Sequence, residues 1–274
     1  MKVIFLVFIA IAASLLFSAP EVAAAPSPIE VDAKPGVSST KVKYATLAIN
    51  DIVRFFWDNY KIALHRKLRL ILVPDDKVYE TVLINDFKDT PADAQKKATS
   101  TGGMAKEIRG QYILVLKAKE SVSMAAMIKV ASHEMIHWYQ YEAGGSKKSA
   151  EIKWLLEGVA EVMALQITEA HKSGEFDKYR ENSLKALKKA AQIPSLKDLH
   201  SRKDWNAAME KYGGAVVYRK AGLAVMELAQ RRGVKTLFSY FINLKPQTPA
   251  KAFEQTFHLN LQKFENEMDQ KYRK

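Results

Sequence analysis

Apolar residues recur at helical spacing over residues 41–64, at Ala45, Leu47, Ile49, Ile52, Val53 and Phe56, and predict an amphipathic helix. Residues 68–73 form an apolar run interrupted only by Arg69 and stopped by Pro74-Asp75-Asp76, so they read as a strand. Short helices follow over 76–85 and 91–100, then a break at Thr101-Gly102-Gly103-Met104 and a second strand over 112–116. Beyond Ser121 the pattern is helical throughout, over 122–143, 149–171, 177–191, 204–231, 234–243, 249–257 and 261–272. The order predicts an α+β fold: a small mixed α/β N-terminal lobe with a short sheet, a junction helix, and an all-helical C-terminal lobe. A cleft between the lobes is the natural consequence.

The N-terminus has a different character. Met1 and Lys2 precede an unbroken apolar and small stretch over 3–17, and Val22-Ala23-Ala24 offers small residues for cleavage, so 1–25 reads as a signal peptide. The alternative is an uncleaved anchor, but the apolar run of about 15 residues falls short of the roughly 20 that span a bilayer. Residues 26–40, with Pro26, Pro28, Pro35, Gly36 and a Ser/Thr run, read as a flexible lead-in. The folded unit is then 41–274, divided into lobes at 41–145 and 146–274, and the expected location is secreted or periplasmic.

Composition narrows the chemistry. The chain of 274 residues has no cysteine, which excludes disulfide scaffolds, thiolate zinc clusters, iron–sulfur sites and cysteine nucleophiles. Any metal must sit on His and carboxylates. Removing the leader takes Lys2 and Glu21 together, so the net charge of +12 persists in the mature chain. An export signal argues against a nucleic-acid partner, and the positive excess suits an anionic envelope surface. A generally basic surface with no assigned partner explains it equally well, because Lys and Arg are spread along the chain without a block.

The informative segment is His133-Glu134-Met135-Ile136-His137, inside the helix predicted over 122–143. Histidines four residues apart lie on one face of a helix about 6 Å apart along its axis, so both imidazoles can reach one zinc ion. Glu134 projects beside them, where its carboxylate can take a proton from a metal-bound water. The bland alternative is a buried helix whose histidines only hydrogen-bond. Against it, the flanking Val130-Ala131-Ser132 and Trp138-Tyr139 make this stretch uncharged and mostly apolar.

A third ligand is required. Three and six residues after His137 stand Gln140 and Ala143, so the Gly and third His of the metzincins are missing. Nineteen residues separate His137 from Glu157, enough for one helix to end at Gly144-Gly145 and a second to return antiparallel with Glu157 at the metal. Two His and one Glu leave a fourth position open, as catalytic zinc requires. Glu161 lies one turn beyond Glu157 and faces the same way.

His133-Glu134-Met135-Ile136-His137 together with Trp154-Leu155-Leu156-Glu157-Gly158-Val159-Ala160-Glu161 resembles the gluzincin metallopeptidases, specifically the peptidase MA-like domains of exported bacterial proteins. The resemblance covers roughly residues 67–233. It implies one zinc per chain on His133, His137 and Glu157, Glu134 as general base, and Glu161 holding a ligand imidazole. The aminopeptidase branch carries Gly-x-Met-Glu-Asn where this chain has Gly102-Gly103-Met104-Ala105-Lys106, and places its Glu where this chain has Leu156. An endopeptidase is therefore favoured over an aminopeptidase.

For the oxyanion donor, Tyr212 precedes Gly213-Gly214 at the head of what reads as a packing helix, while Tyr218 reads as core. In the MA-like family a Tyr at this place often faces the metal cleft, so Tyr212 is the candidate, with a structural hydroxyl as its alternative and His200 as a fallback. Trp138 and Trp154 read as core anchors. His65, His171, His200 and His258 lack companion ligands at helical spacing. Two functions follow: an exported zinc metallopeptidase acting on a peptide or protein, or a non-catalytic MA-like zinc-binding domain serving envelope binding or assembly. A binding module has no chemical need for Glu134, which favours the enzyme.

Overall fold

A computed structural model describes residues 29–63 and 66–273. The proposed leader 1–25, the start of the lead-in and His65 lie outside the described residues. The fold is mixed α/β in its N-terminal half and helical after it, as the sequence pattern predicts. Its elements run β1 (Ile29–Ala33), α1 (Ser39–Tyr60), β2 (Leu68–Val73), α2 (Asp76–Asn85), α3 (Pro91–Ser100), β3 (Gly103–Ile108), β4 (Gln111–Lys117) and α4 (Met124–Gly144). After them come α5 (Ser146–Ser149), α6 (Lys153–Glu169), α7 (Glu175–Lys189), a 3-10 turn (Leu196–Leu199), α8 (Arg202–Tyr212), α9 (Gly214–Arg232), α10 (Val234–Leu244), α11 (Pro249–Phe257) and α12 (Leu261–Lys271). No described helix is long and apolar enough to cross a membrane.

The sheet has the order β1-β2-β4-β3, with β1 and β4 parallel to β2 and β3 antiparallel to β4. Its central strands are covered on both faces, which is why they read as continuous apolar runs. Leu70, Leu72, Leu114 and Leu116 face the main core with α1 and α4; Ile71, Val73, Ile113 and Val115 face a smaller one beneath α2 and α3.

Both edge strands depart from the sequence reading. Ile29–Ala33, expected inside a flexible lead-in, is strand β1, and Arg69 of β2 reaches its Asp32 at 2.6 Å. The break expected at Gly102-Gly103 opens directly into β3, which returns to β4 through Arg109 and Gly110, both at positive φ as a two-residue hairpin demands. Edge strands bury little, so neither has the apolar signature of β2 and β4.

Two helical predictions also differ. The helix expected over 149–171 begins only at Lys153, as α6, with Ser149 closing the short α5, and the span 204–231 becomes α8 and α9, parted at Gly213 with φ 84°. Next to the site, α6 and α9 cross closely at Gly158, where a Cβ would stand 2.5 Å from Val225 Cγ2 and 2.8 Å from the Ala221 carbonyl oxygen. Only a glycine permits that approach.

Candidate metal centre

Helix α4 carries the two histidines. Ser123 caps its start by accepting from the Ala126 N–H, and Gly145, at φ 79°, ends it. The chain then returns through α5 into α6, so α4 and α6 pack together and Glu157 meets His133 and His137. The separations are 3.1 Å between His133 Nε2 and His137 Nε2, and 3.3 Å from each to Glu157 Oε2. Ligands set tetrahedrally at ~2.0–2.1 Å from a zinc ion stand roughly 3.3 Å from one another. The three donor atoms therefore fit a tetrahedral metal with one position left over.

Each imidazole is oriented from behind. Gln140, fully buried, donates through Nε2 to the Leu156 carbonyl at 3.0 Å, which leaves its Oε1 as acceptor for His137 Nδ1 at 2.8 Å. That bond places the proton on Nδ1 and the lone pair on Nε2, toward Glu157. For His133 the partner is Glu161, whose Oε2 is 3.4 Å from Nδ1, and whose Oε1 is 2.6 Å from Lys129. Burial alone would raise the Glu161 carboxyl, but His133 and Lys129 hold it down at about 2. Glu157 is likewise ionised: burial opposes its charge, and His137, His133 and Lys153 outweigh burial.

Glu134 stands apart from the triad, in the same cleft of about 870 Å³. Burial raises its pKa; the two histidines and the nearby Ala105 N–H partly offset that, and Glu157 adds to it. Tyr112 of β4 donates to the Glu134 backbone carbonyl at 3.0 Å and ties this turn of α4 to the sheet. Gly103, Met104, Ala105 and Lys106 of edge strand β3 line the cleft wall.

Tyr212 is not in this cleft. It ends α8 and lines a separate cavity with Lys220, Asp269 and Tyr272. Tyr218, expected as core, packs against the main core and also lines the metal cleft. It lies three residues before Ala221 on the face of α9 that crosses α6 at Gly158, so it stands beside the helix that carries Glu157. Burial, with Glu157, Glu134 and Glu161 nearby, drives its pKa far above the usual phenol value, so the hydroxyl stays protonated as a donor.

Trp154 is fully buried, donating to Glu265 at 2.9 Å, and Trp138 is buried at the cleft wall. The His200 imidazole is 2.5 Å from Glu265 and does not line the metal cleft; His171 pairs with Asp51. Sequence reasoning missed Gln140 and Lys153 as partners of the triad. Gln140 sits three residues after His137, a spacing that marks a helical neighbour, but its role depends on where α6 lies.

No protein-family model matches this chain, and no curated protein matches it.

Proposed function

We propose that the chain is a zinc-dependent peptidase of gluzincin type, with His133, His137 and Glu157 holding one zinc and Glu134 as general base. The observation that carries this reading is the 3.1–3.3 Å triangle of two imidazole nitrogens and one carboxylate oxygen. When bound there, zinc supplies Lewis acidity and lowers the pKa of a coordinated water. The chain's own groups supply the rest. Glu134, half-buried in the cleft and raised in pKa, suits a carboxylate that takes a proton and passes it on. Tyr218, locked in its protonated form, suits a donor to a developing oxyanion.

Edge strand β3 supports a peptide as substrate. Among the described residues its outer backbone groups have no neighbouring strand, and they run along the cleft beside Glu134, so an extended chain can add to them. Strand addition fixes a peptide by its main chain, in keeping with an endopeptidase and with the missing amine anchor. We infer a secreted or periplasmic location from the leader, and contact with an anionic envelope surface from the charge of +12. The test is cleavage of an unbiased peptide library by the zinc-loaded mature chain. Cleavage abolished by chelation and restored by zinc is expected; a zinc-loaded chain that cleaves nothing favours the non-catalytic binding domain.

A further inference from the structure

Each carboxylate that touches His133 carries a lysine on its other oxygen. Glu161 Oε1 is 2.6 Å from Lys129, and Glu157 Oε1 is 2.5 Å from Lys153. The second pair concerns a ligand itself. Lys153 opens α6 one turn before Glu157, and its backbone N–H is fixed to the His200 carbonyl at 2.7 Å. Its side chain is 17% exposed and that of Glu157 is 7%, so the pair is only weakly screened by solvent. Among the described residues Lys153 has no other carboxylate partner within ion-pair distance.

A metal ligand usually gains from a hydrogen-bond donor behind it, which orients it. A lysine does this and also places a full positive charge beside the position that a dication takes. Orientation raises metal affinity, whereas charge lowers it. Here orientation has little left to supply, because Glu157 Oε2 already lies against two imidazoles and its carboxylate is buried. The charge term therefore dominates.

We propose that Lys153 is a built-in competitor for the metal: beside the two histidines it offsets the Glu157 charge in the metal-free protein, and, because it keeps its own charge when a dication arrives, it lowers the affinity of the site for zinc. The proposal rests on the metal site proposed above. It gives the chain a means to fold before it acquires metal, and it restrains Glu157 to one coordinating oxygen, since Oε1 is already engaged.

The test measures zinc affinity by competition with a chromophoric chelator, together with the melting temperature with and without zinc, for wild type, Lys153→Met, Lys153→Gln and Lys153→Arg. Removing the charge tightens zinc binding at least about tenfold, because a unit charge close to a dication is worth that much even at high effective dielectric. Lys153→Met and Lys153→Gln melt lower than wild type without zinc and gain more from zinc, while Lys153→Arg keeps wild-type affinity within about threefold. If Lys153→Met fails to fold without zinc, Lys153→Gln carries the comparison. Zinc binding in Lys153→Met or Lys153→Gln that is equal to or weaker than in wild type overturns the proposal and leaves the metal site standing. Tightening by Lys153→Arg equal to that of Lys153→Met also overturns it. A wild type that binds no zinc removes the site and the competitor together.

Discussion

Gln140 Oε1 lies 2.8 Å from His137 Nδ1, and the same amide donates to the carbonyl of Leu156, the residue before Glu157. One side chain thus sets the tautomer of one proposed ligand and ties down the helix that carries another. Gln140→Leu leaves the His137 Nδ1–H unpaired inside the protein and removes the tie to the Leu156 carbonyl, which its own helix still pairs. That costs about 1–3 kcal/mol of stability, and loss of the partner behind the ligand weakens zinc binding about 10–100-fold. Thermal melting and chelator competition measure the two effects, and an unchanged zinc affinity contradicts the role given to Gln140.

Glu134 lies in the cleft but outside the ligand triangle. Glu134→Gln keeps its zinc and its melting temperature while peptide hydrolysis falls by about 100 to 10,000-fold, the usual worth of a general base. Steady-state kinetics beside metal analysis separate this from loss of a ligand, which removes metal and activity together. Retained hydrolysis in a folded, zinc-loaded Glu134→Gln protein rules out this mechanism.

The two tyrosines give opposite expectations. Tyr218 lines the cleft, so Tyr218→Phe lowers kcat by roughly 10 to 1,000-fold with zinc content unchanged. Tyr212 lines another cavity, so Tyr212→Phe leaves kcat as it is. The reverse ranking in kcat reinstates the reading from sequence.

Gly158 sets the spacing of α6 and α9. An added Cβ meets Val225 and the Ala221 backbone at distances no side chain tolerates, so the helices must part. Gly158→Ala costs about 1–3 kcal/mol. It also moves Glu157 relative to His133, so zinc affinity falls with the melting temperature. A variant as stable as wild type contradicts the close crossing.

Residues fixed by helical spacing or by a short connection between neighbouring helices were legible in the sequence, and those whose role depends on packing between distant elements or on the burial of a partner were not. The bounds of α2, α3 and α11 follow from local chemistry: Asp75 and Thr90 cap the first two, and Pro91 and Pro249 begin the last two. His133 and His137 are legible because one helix turn relates them, and Glu157 because the loop at Gly144-Gly145 allows one return path. Strands β1 and β3 were not, since at a sheet edge a segment such as Ile-Glu-Val-Asp-Ala is held by backbone pairing and buries little of its side chains, apolar Val31 included. Tyr218 packs against the core as its pattern indicates, but that it also lines the cleft depends on where α9 crosses α6, which no local pattern carries. Lys153 was invisible for a related reason: an i, i+4 Lys–Glu pair is ordinary on a helix surface and matters only where the Glu is buried against two imidazoles.

The central claim is that His133, His137 and Glu157 form one metal site. Its most direct test is the zinc content of the mature chain after equilibration with zinc and removal of loosely bound ion, measured beside His137→Ala. The account predicts about one zinc per wild-type chain and none in the variant, because two remaining donors do not make a zinc site. Wild-type zinc no higher than that of His137→Ala contradicts it.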